Sequence, residues 1–92
     1  MIGYVECECL IYDAHSLKEK RAVLQRIITR LRQKYNITVS EVDYQDTWQR
    51  TKLAMAVVSS SRKTTEIELN HALNMIDSFP EIERTITDFE WL

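Results

Sequence analysis

Glycine and proline are almost missing from this chain, which has only Gly3 and Pro80 in 92 residues. A loop that cradles phosphate needs glycine wherever the backbone approaches the anion, so P-loop and dinucleotide-binding readings fail. Long apolar runs are missing too, and Glu6 and Glu8 stand where a signal peptide would need its apolar stretch. A protein that stays in the cytoplasm, with no membrane partner, is the expectation. Cysteine is scarce, with only Cys7 and Cys9. Two positions apart on one strand their side chains point the same way, so a bridge between them would be strained, and both are read as reduced thiols. Their spacing does not fit a zinc knuckle and no C-x-x-C accompanies them, so neither a metal nor a cofactor is expected. No Ser-His-Asp or Cys-His arrangement is marked by spacing, and a non-enzymatic role is favoured.

What is present fits one small domain spanning residues 1–92, with 45% hydrophobic and 28% charged residues. The formal net charge of -2 speaks against indiscriminate attraction to nucleic acid. Its distribution says more. Residues 17–35 hold Lys18, Lys20, Arg21, Arg26, Arg30, Arg32 and Lys34 against Glu19 alone, whereas residues 64–92 hold seven acids against Arg84 alone.

Ile2 to Tyr12 alternates, with Val5, Cys7, Cys9 and Ile11 on one face and Tyr4, Glu6, Glu8, Leu10 and Tyr12 on the other, which predicts a strand. Ser16-Leu17-Lys18-Glu19 has the form of a capping box, so a helix should start at Leu17. Leu17, Leu24, Ile27, Ile28, Leu31 and Tyr35 form its buried stripe, and it should end near Asn36. A second strand is expected over 37–43, with a bulge near Ser40 because Val42 falls out of phase with Ile37 and Val39. The apolar run Leu53 to Val58 predicts a central strand, 63–78 a second helix stopped by Pro80, and 81–91 a fourth strand. This order gives an α+β, ferredoxin-like split βαβ fold (βαββαβ): a four-stranded antiparallel sheet with two helices on one face.

The string His15-Ser16-Leu17-Lys18-Glu19-Lys20-Arg21, followed by Val39-Ser40-Glu41-Val42 and by Asp46, Trp48 and Gln49, resembles the YlxP-like family of uncharacterised bacterial proteins. The resemblance covers nearly the whole chain. It implies a ferredoxin-like fold and a bacterial source, and it implies genes set among those for translation and transcription, near that for ribosome-binding factor A. It implies no activity.

Two groups of residues are candidates for function. The topology should bring His15, Ser16, Lys18, Lys20 and Arg21 close to Asp46, Trp48, Gln49 and Arg50, a mixture of base, cation, carboxylate and aromatic that could bind a ligand or partner. The alternative is a structural cluster in which His15 and Asp46 tie two loops together and Trp48 covers the helix start. Arg26, Arg30 and Lys34 recur every four residues away from the buried stripe, and such a row could follow an RNA backbone or be a plain solvated face. Tyr4, Leu10 and Tyr12, with Phe89 and Trp91 as further members, are expected on the open face of the sheet, where an apolar patch would favour a homo-oligomer, in the simplest case a dimer. The favoured function is a small binding module of the translation machinery or another RNA-protein assembly, with RNA or a ribosomal particle as partner. A small-molecule or catalytic site at His15, Asp46 and Trp48 is the alternative.

Overall fold

The structure is a computed structural model that describes residues 1–92. Its elements follow the expected order: β1 (Ile2–Leu10), α1 (Leu17–Lys34), β2 (Thr38–Asp43), β3 (Arg50–Val58), α2 (Arg62–Asp77) and β4 (Glu83–Trp91). The four strands form one antiparallel sheet in the order β2-β3-β1-β4, with both helices on the same face. No helix is long and apolar enough to cross a membrane.

The alternation of β1 sets the layers. Val5, Cys7 and Cys9 face the helices and are fully buried, and Leu53, Met55 and Val57 do the same from the adjoining β3. β1 stops at Leu10, short of the expected Tyr12, because the chain turns at Tyr12 and Asp13; Ile11 stays buried and still donates its N–H to Gln49 O at 2.9 Å.

α1 starts where the capping box places it, with the Ser16 hydroxyl accepting from Glu19 N–H at 3.1 Å. The Glu19 carboxylate reaches one residue further back than a standard box, to His15 N–H at 2.7 Å. The buried face of α1 is Lys20, Leu24, Ile27 and Leu31, so a lysine occupies the first turn of the apolar stripe.

The expected bulge in β2 lies between Glu41 and Asp43, at Val42, two residues beyond Ser40. Val39 and Glu41 therefore keep the inward phase beside Met55 and Leu53, and the out-of-phase Val42 is the extra residue. The next residue but one, Tyr44, has φ 62, a left-handed conformation unusual for an aromatic residue.

α2 begins at Ser61, whose hydroxyl accepts from Thr64 N–H at 3.1 Å, and packs close to β1 through Gly3. A Cβ at Gly3 would lie 2.2 Å from Thr65 Cγ2 and 3.0 Å from Leu69 Cδ1, so only glycine lets the helix sit at this distance.

β4 corrects the reading of the open face. Phe89 pairs with Val5 and Trp91 with Gly3, and both aromatic residues therefore lie on the helix face. The alternation within β4 cannot assign a face until its register against β1 is known. The open face itself is laced with charge: Tyr4 OH donates to Glu6 at 2.8 Å, Lys52 lies 3.7 Å from Glu6, Arg50 lies 3.0 Å from Glu8, and Tyr12 OH donates to Glu83. These charges separate Tyr4 from Leu10 and Tyr12, while Tyr4, Val42, Ala54 and Ala56 line an apolar hollow on the β2–β3 side of the same face.

Candidate functional site

The two sequence blocks do meet at one end of the sheet, but through residues other than those expected to carry chemistry. Lys20 Nζ, with its side chain 1% exposed, lies 2.9 Å from Glu41 Oε2 and also donates to Tyr44 O. Glu41 Oε2 accepts a second bond, from Thr51 Oγ1 at 2.6 Å. A buried ammonium without partners would be strongly unfavourable, and here two oxygens satisfy it. Gln49 adds the second tie, its side-chain amide donating to Tyr12 O at 3.0 Å and Ala14 O at 3.2 Å.

Tyr44 is the pivot of this end, and its backbone conformation costs about 1–3 kcal/mol that the surroundings must offset. Its N–H donates to Asp43 Oδ1 at 2.8 Å, its carbonyl receives Lys20, and its hydroxyl donates to Glu8 Oε1 at 3.1 Å. The Arg50 guanidinium lies 4.2 Å from the Tyr44 ring centroid and bonds Glu8 at 3.0 Å. Arg50 and Tyr44 hold the Glu8 carboxyl below its ordinary range, and Glu8 in turn raises the Arg50 guanidinium.

Of the expected loop cluster, then, Ser16, Lys20, Gln49 and Arg50 are engaged in holding the fold together. His15, Asp46 and Trp48 are exposed, and no hydrogen bond joins their side chains to one another or to the rest of the site. The tie between the loops is made by Lys20 and Gln49, not by His15 and Asp46. Glu41, Thr51, Tyr44 and Glu8 complete the cluster and were missed. A signal for the first was present: Glu41 is in phase with the inward Val39, and Lys20 precedes Leu24, Ile27 and Leu31 by four, seven and eleven residues. Two opposite charges on buried phases need each other.

The second candidate is α1 itself. Lys18, Arg21, Arg26, Arg30, Arg32 and Lys34 are all exposed, with Glu19 the helix's only acid. The row Arg26, Arg30, Lys34 is less free than the wheel suggests. Arg26 forms an ion pair with Glu81, which lowers the Glu81 carboxyl, and the Arg30 guanidinium sits 5.3 Å from the Phe79 ring centroid. Lys34 lies 5.9 Å from the ring of Tyr35. The row thus leans toward the turn after α2 and fastens α1 to it. Elsewhere on the helix Lys18, Arg21 and Arg32 pair with no carboxylate. Arg32 donates to Val39 O at 3.0 Å.

A family model described as a protein of unknown function (DUF503) matches residues 2–89. The chain belongs to this family. It is 67% identical over 91 residues to the uncharacterized protein YlxP of Bacillus subtilis (strain 168), covering 99% of each chain. Among solved structures it is similar to a de novo designed protein with a ferredoxin fold, with a TM-score of 0.52 and 15% identity over 92% of this chain and 83% of the other. The fold class is the expected one, and the DUF503 family brings no named activity with it.

One further cluster of this DUF503 protein lies within the core. Cys7 and Cys9 are free and fully buried, with the Cys9 thiol 4.0 Å from Cys7 Sγ. Donation to Cys7 and burial both push the Cys9 thiol up, which suits packing rather than nucleophilic work. Arg84, opposite Cys9 across the β1–β4 register, is held by two bonds to Asp77 at 2.9 and 2.8 Å and one to Thr87 at 2.9 Å.

Proposed function

We propose that this protein is a small non-catalytic binding module of an RNA-protein assembly, and that it meets the RNA backbone with the basic side of α1. The observation that carries the reading is the concentration of charge: six of the chain's 12 cations are exposed on one helix with a single acid. A rigid helix with cations spaced at about one turn can follow a phosphate backbone without reading bases. The acidic half of the chain includes β4 and the turn before it, so the molecule would approach a polyanion with α1 leading. Lys18, Arg21 and Arg32 are the better placed groups, since Arg26 is paired with Glu81 and Arg30 lies against the Phe79 ring, whereas Arg32 gives one N–H to Val39 O and has no carboxylate partner.

The test is fluorescence anisotropy with a single-stranded RNA oligomer, together with co-sedimentation with ribosomal particles, each at several salt concentrations. Two triple variants are compared, K18Q/R21Q/R32Q and R26Q/R30Q/K34Q; neutral glutamine is used because a glutamate at 26 would face Glu81. Association should weaken in both variants, more in the first, and the salt slope should fall by about 0.7 for each phosphate no longer neutralised. Salt-insensitive association, or none in the unaltered protein, would defeat the reading. A small-ligand site at His15, Asp46 and Trp48 would instead leave both triple variants unaffected and respond only to changes at those three residues.

A further inference from the structure

The sheet has one long free edge whose chemistry is specific. β4 is the outermost strand beyond β1, and just past its end Leu92 exchanges both backbone bonds with Ile2, Leu92 N–H to Ile2 O at 2.9 Å and Ile2 N–H to Leu92 O at 3.1 Å. In an antiparallel ladder bonded and non-bonded pairs alternate, so Glu90 and Asp88 also turn toward β1, and Trp91, Phe89 and Thr87 turn their N–H and C=O groups outward. The register shift opposite Glu8 ends this regular stretch just before Thr87. A row of three residues with unpaired backbone groups is left, from Thr87 to Trp91.

Each face of that row has its own character. On the helix side Phe89 stacks on Trp91 with centroids 6.0 Å apart and planes at 14°, and both line a shallow groove of about 260 Å³ against Arg62 and Glu66 of α2. Phe89 is 41% exposed, so this aromatic shelf is only partly covered. On the open side the same stretch presents Asp88 and Glu90, both exposed and without a cationic partner.

This pattern disfavours a second copy of the chain. In an antiparallel self-pairing that matches the two faces, Phe89 opposite Phe89 sets Asp88 against Glu90 twice. Sliding by one pair sets Asp88 against Asp88 or Glu90 against Glu90. Like charges directly opposite are destabilising, and charge on an edge strand is a common guard against self-pairing. A foreign strand with cations at those positions has the reverse effect.

We infer that the β4 edge, residues 87–91, is a docking site for an extended peptide segment of another protein in which apolar residues alternate with Lys or Arg. The segment adds a fifth strand to the sheet. Its backbone pairs with Thr87, Phe89 and Trp91, its apolar side chains lie on the Phe89 and Trp91 shelf, and its cations face Asp88 and Glu90. The site is on the sheet edge remote from β2 and does not depend on the role given to α1.

The probe is a seven-residue Val-Lys alternating peptide, compared with its Val-Glu counterpart, with binding followed by NMR and amide exchange on the intact protein. The Val-Lys peptide should bind saturably and slow exchange at the Thr87, Phe89 and Trp91 amides, and the Val-Glu peptide should not. The exposed double variant D88K/E90K should weaken Val-Lys binding by about tenfold and gain affinity for the Val-Glu peptide. Phe89→Pro removes an outward N–H without touching the β1 ladder and should abolish binding of the Val-Lys peptide. No binding at millimolar peptide, protection at β2 in place of β4, an unchanged affinity in D88K/E90K, or a β4-paired dimer of the unaltered protein would each overturn the inference.

Discussion

Lys20 is the residue on which the candidate site turns, and it holds structure where the sequence pattern offered it as a ligand group. Its ammonium has given up water for Glu41 and the Tyr44 carbonyl, with side-chain exposures of 1% for Lys20 and 18% for Glu41. Removing one partner of such a pair leaves the other charge poorly solvated, which costs about 3 kcal/mol or more, whereas replacing both with apolar groups of similar size is often close to neutral. Lys20→Ala should therefore lower the chemical denaturation midpoint more than any exposed cation of α1 replaced by Ala. The double variant K20M/E41L should recover most of the loss. A Lys20→Ala midpoint equal to that of Arg21→Ala would show that the pair contributes nothing. His15, Asp46 and Trp48 lie outside this network, and replacing each by Ala should change stability by no more than about 0.5 kcal/mol.

At the scale of elements, β1 and α2 approach each other closely at Gly3. This glycine has no unusual backbone angle; its role is space, since a Cβ there would meet Thr65 Cγ2 at 2.2 Å and the Trp91 ring at 2.9 Å. Thr65 cannot easily turn away, because its hydroxyl bonds Ser59 Oγ at 2.6 Å and donates to Ser61 O at 2.8 Å, at the start of α2. Gly3→Ala must shift the helix or break these bonds, and should destabilise by about 1–3 kcal/mol as an overpacked core does. Calorimetry on the variant measures this directly, and a gain in stability would mean that α2 sits further from β1 than the structure places it. The same closeness explains why Trp91, expected on the open face, is half-buried beside α2: the missing side chain at Gly3 is the space its ring fills.

Over the whole molecule the charges are divided, basic on α1 and acidic from Glu81 onward, and a few ion pairs bridge distant segments. Arg26 to Glu81 joins α1 to the turn before β4, and Arg50 to Glu8 crosses the open face. Both carboxyls are held below the ordinary glutamate value of 4.5 by their arginines. A carboxyl depressed in the folded state contributes stability above its unfolded value, and the contribution is lost as pH falls through the folded one. Stability should therefore be flat above about pH 5 and decline on acidification below 4.5. Glu8→Gln and Glu81→Gln should each flatten that decline by lowering the neutral midpoint toward the acid one, and only slightly, because these pairs are partly exposed and screened. Thermal denaturation from pH 3 to 7, roughly the span over which these groups titrate, reads the effect, and identical slopes in variant and parent would remove these pairs from the account.

The elements, their order and the fold class were legible in the sequence, because each depends on signals carried within a few residues: alternation in β1, the Ser16 cap, the stripe of α1, the apolar run of β3 and Pro80 after α2. So was the end of the sheet where the two blocks of polar residues meet. What those polar residues do there was settled by the three-dimensional arrangement alone. Whether Lys20 faces solvent or Glu41 depends on the inward phase of β2, which is set by a bulge at Val42. Whether Phe89 and Trp91 lie on the open face or under α2 depends on a register shift between β4 and β1, and a shift of one residue exchanges the faces of a strand. Arg26 is free or paired according to where the chain passes after Pro80. Local pattern fixes which residues can be buried, and long-range register fixes which partner each one meets.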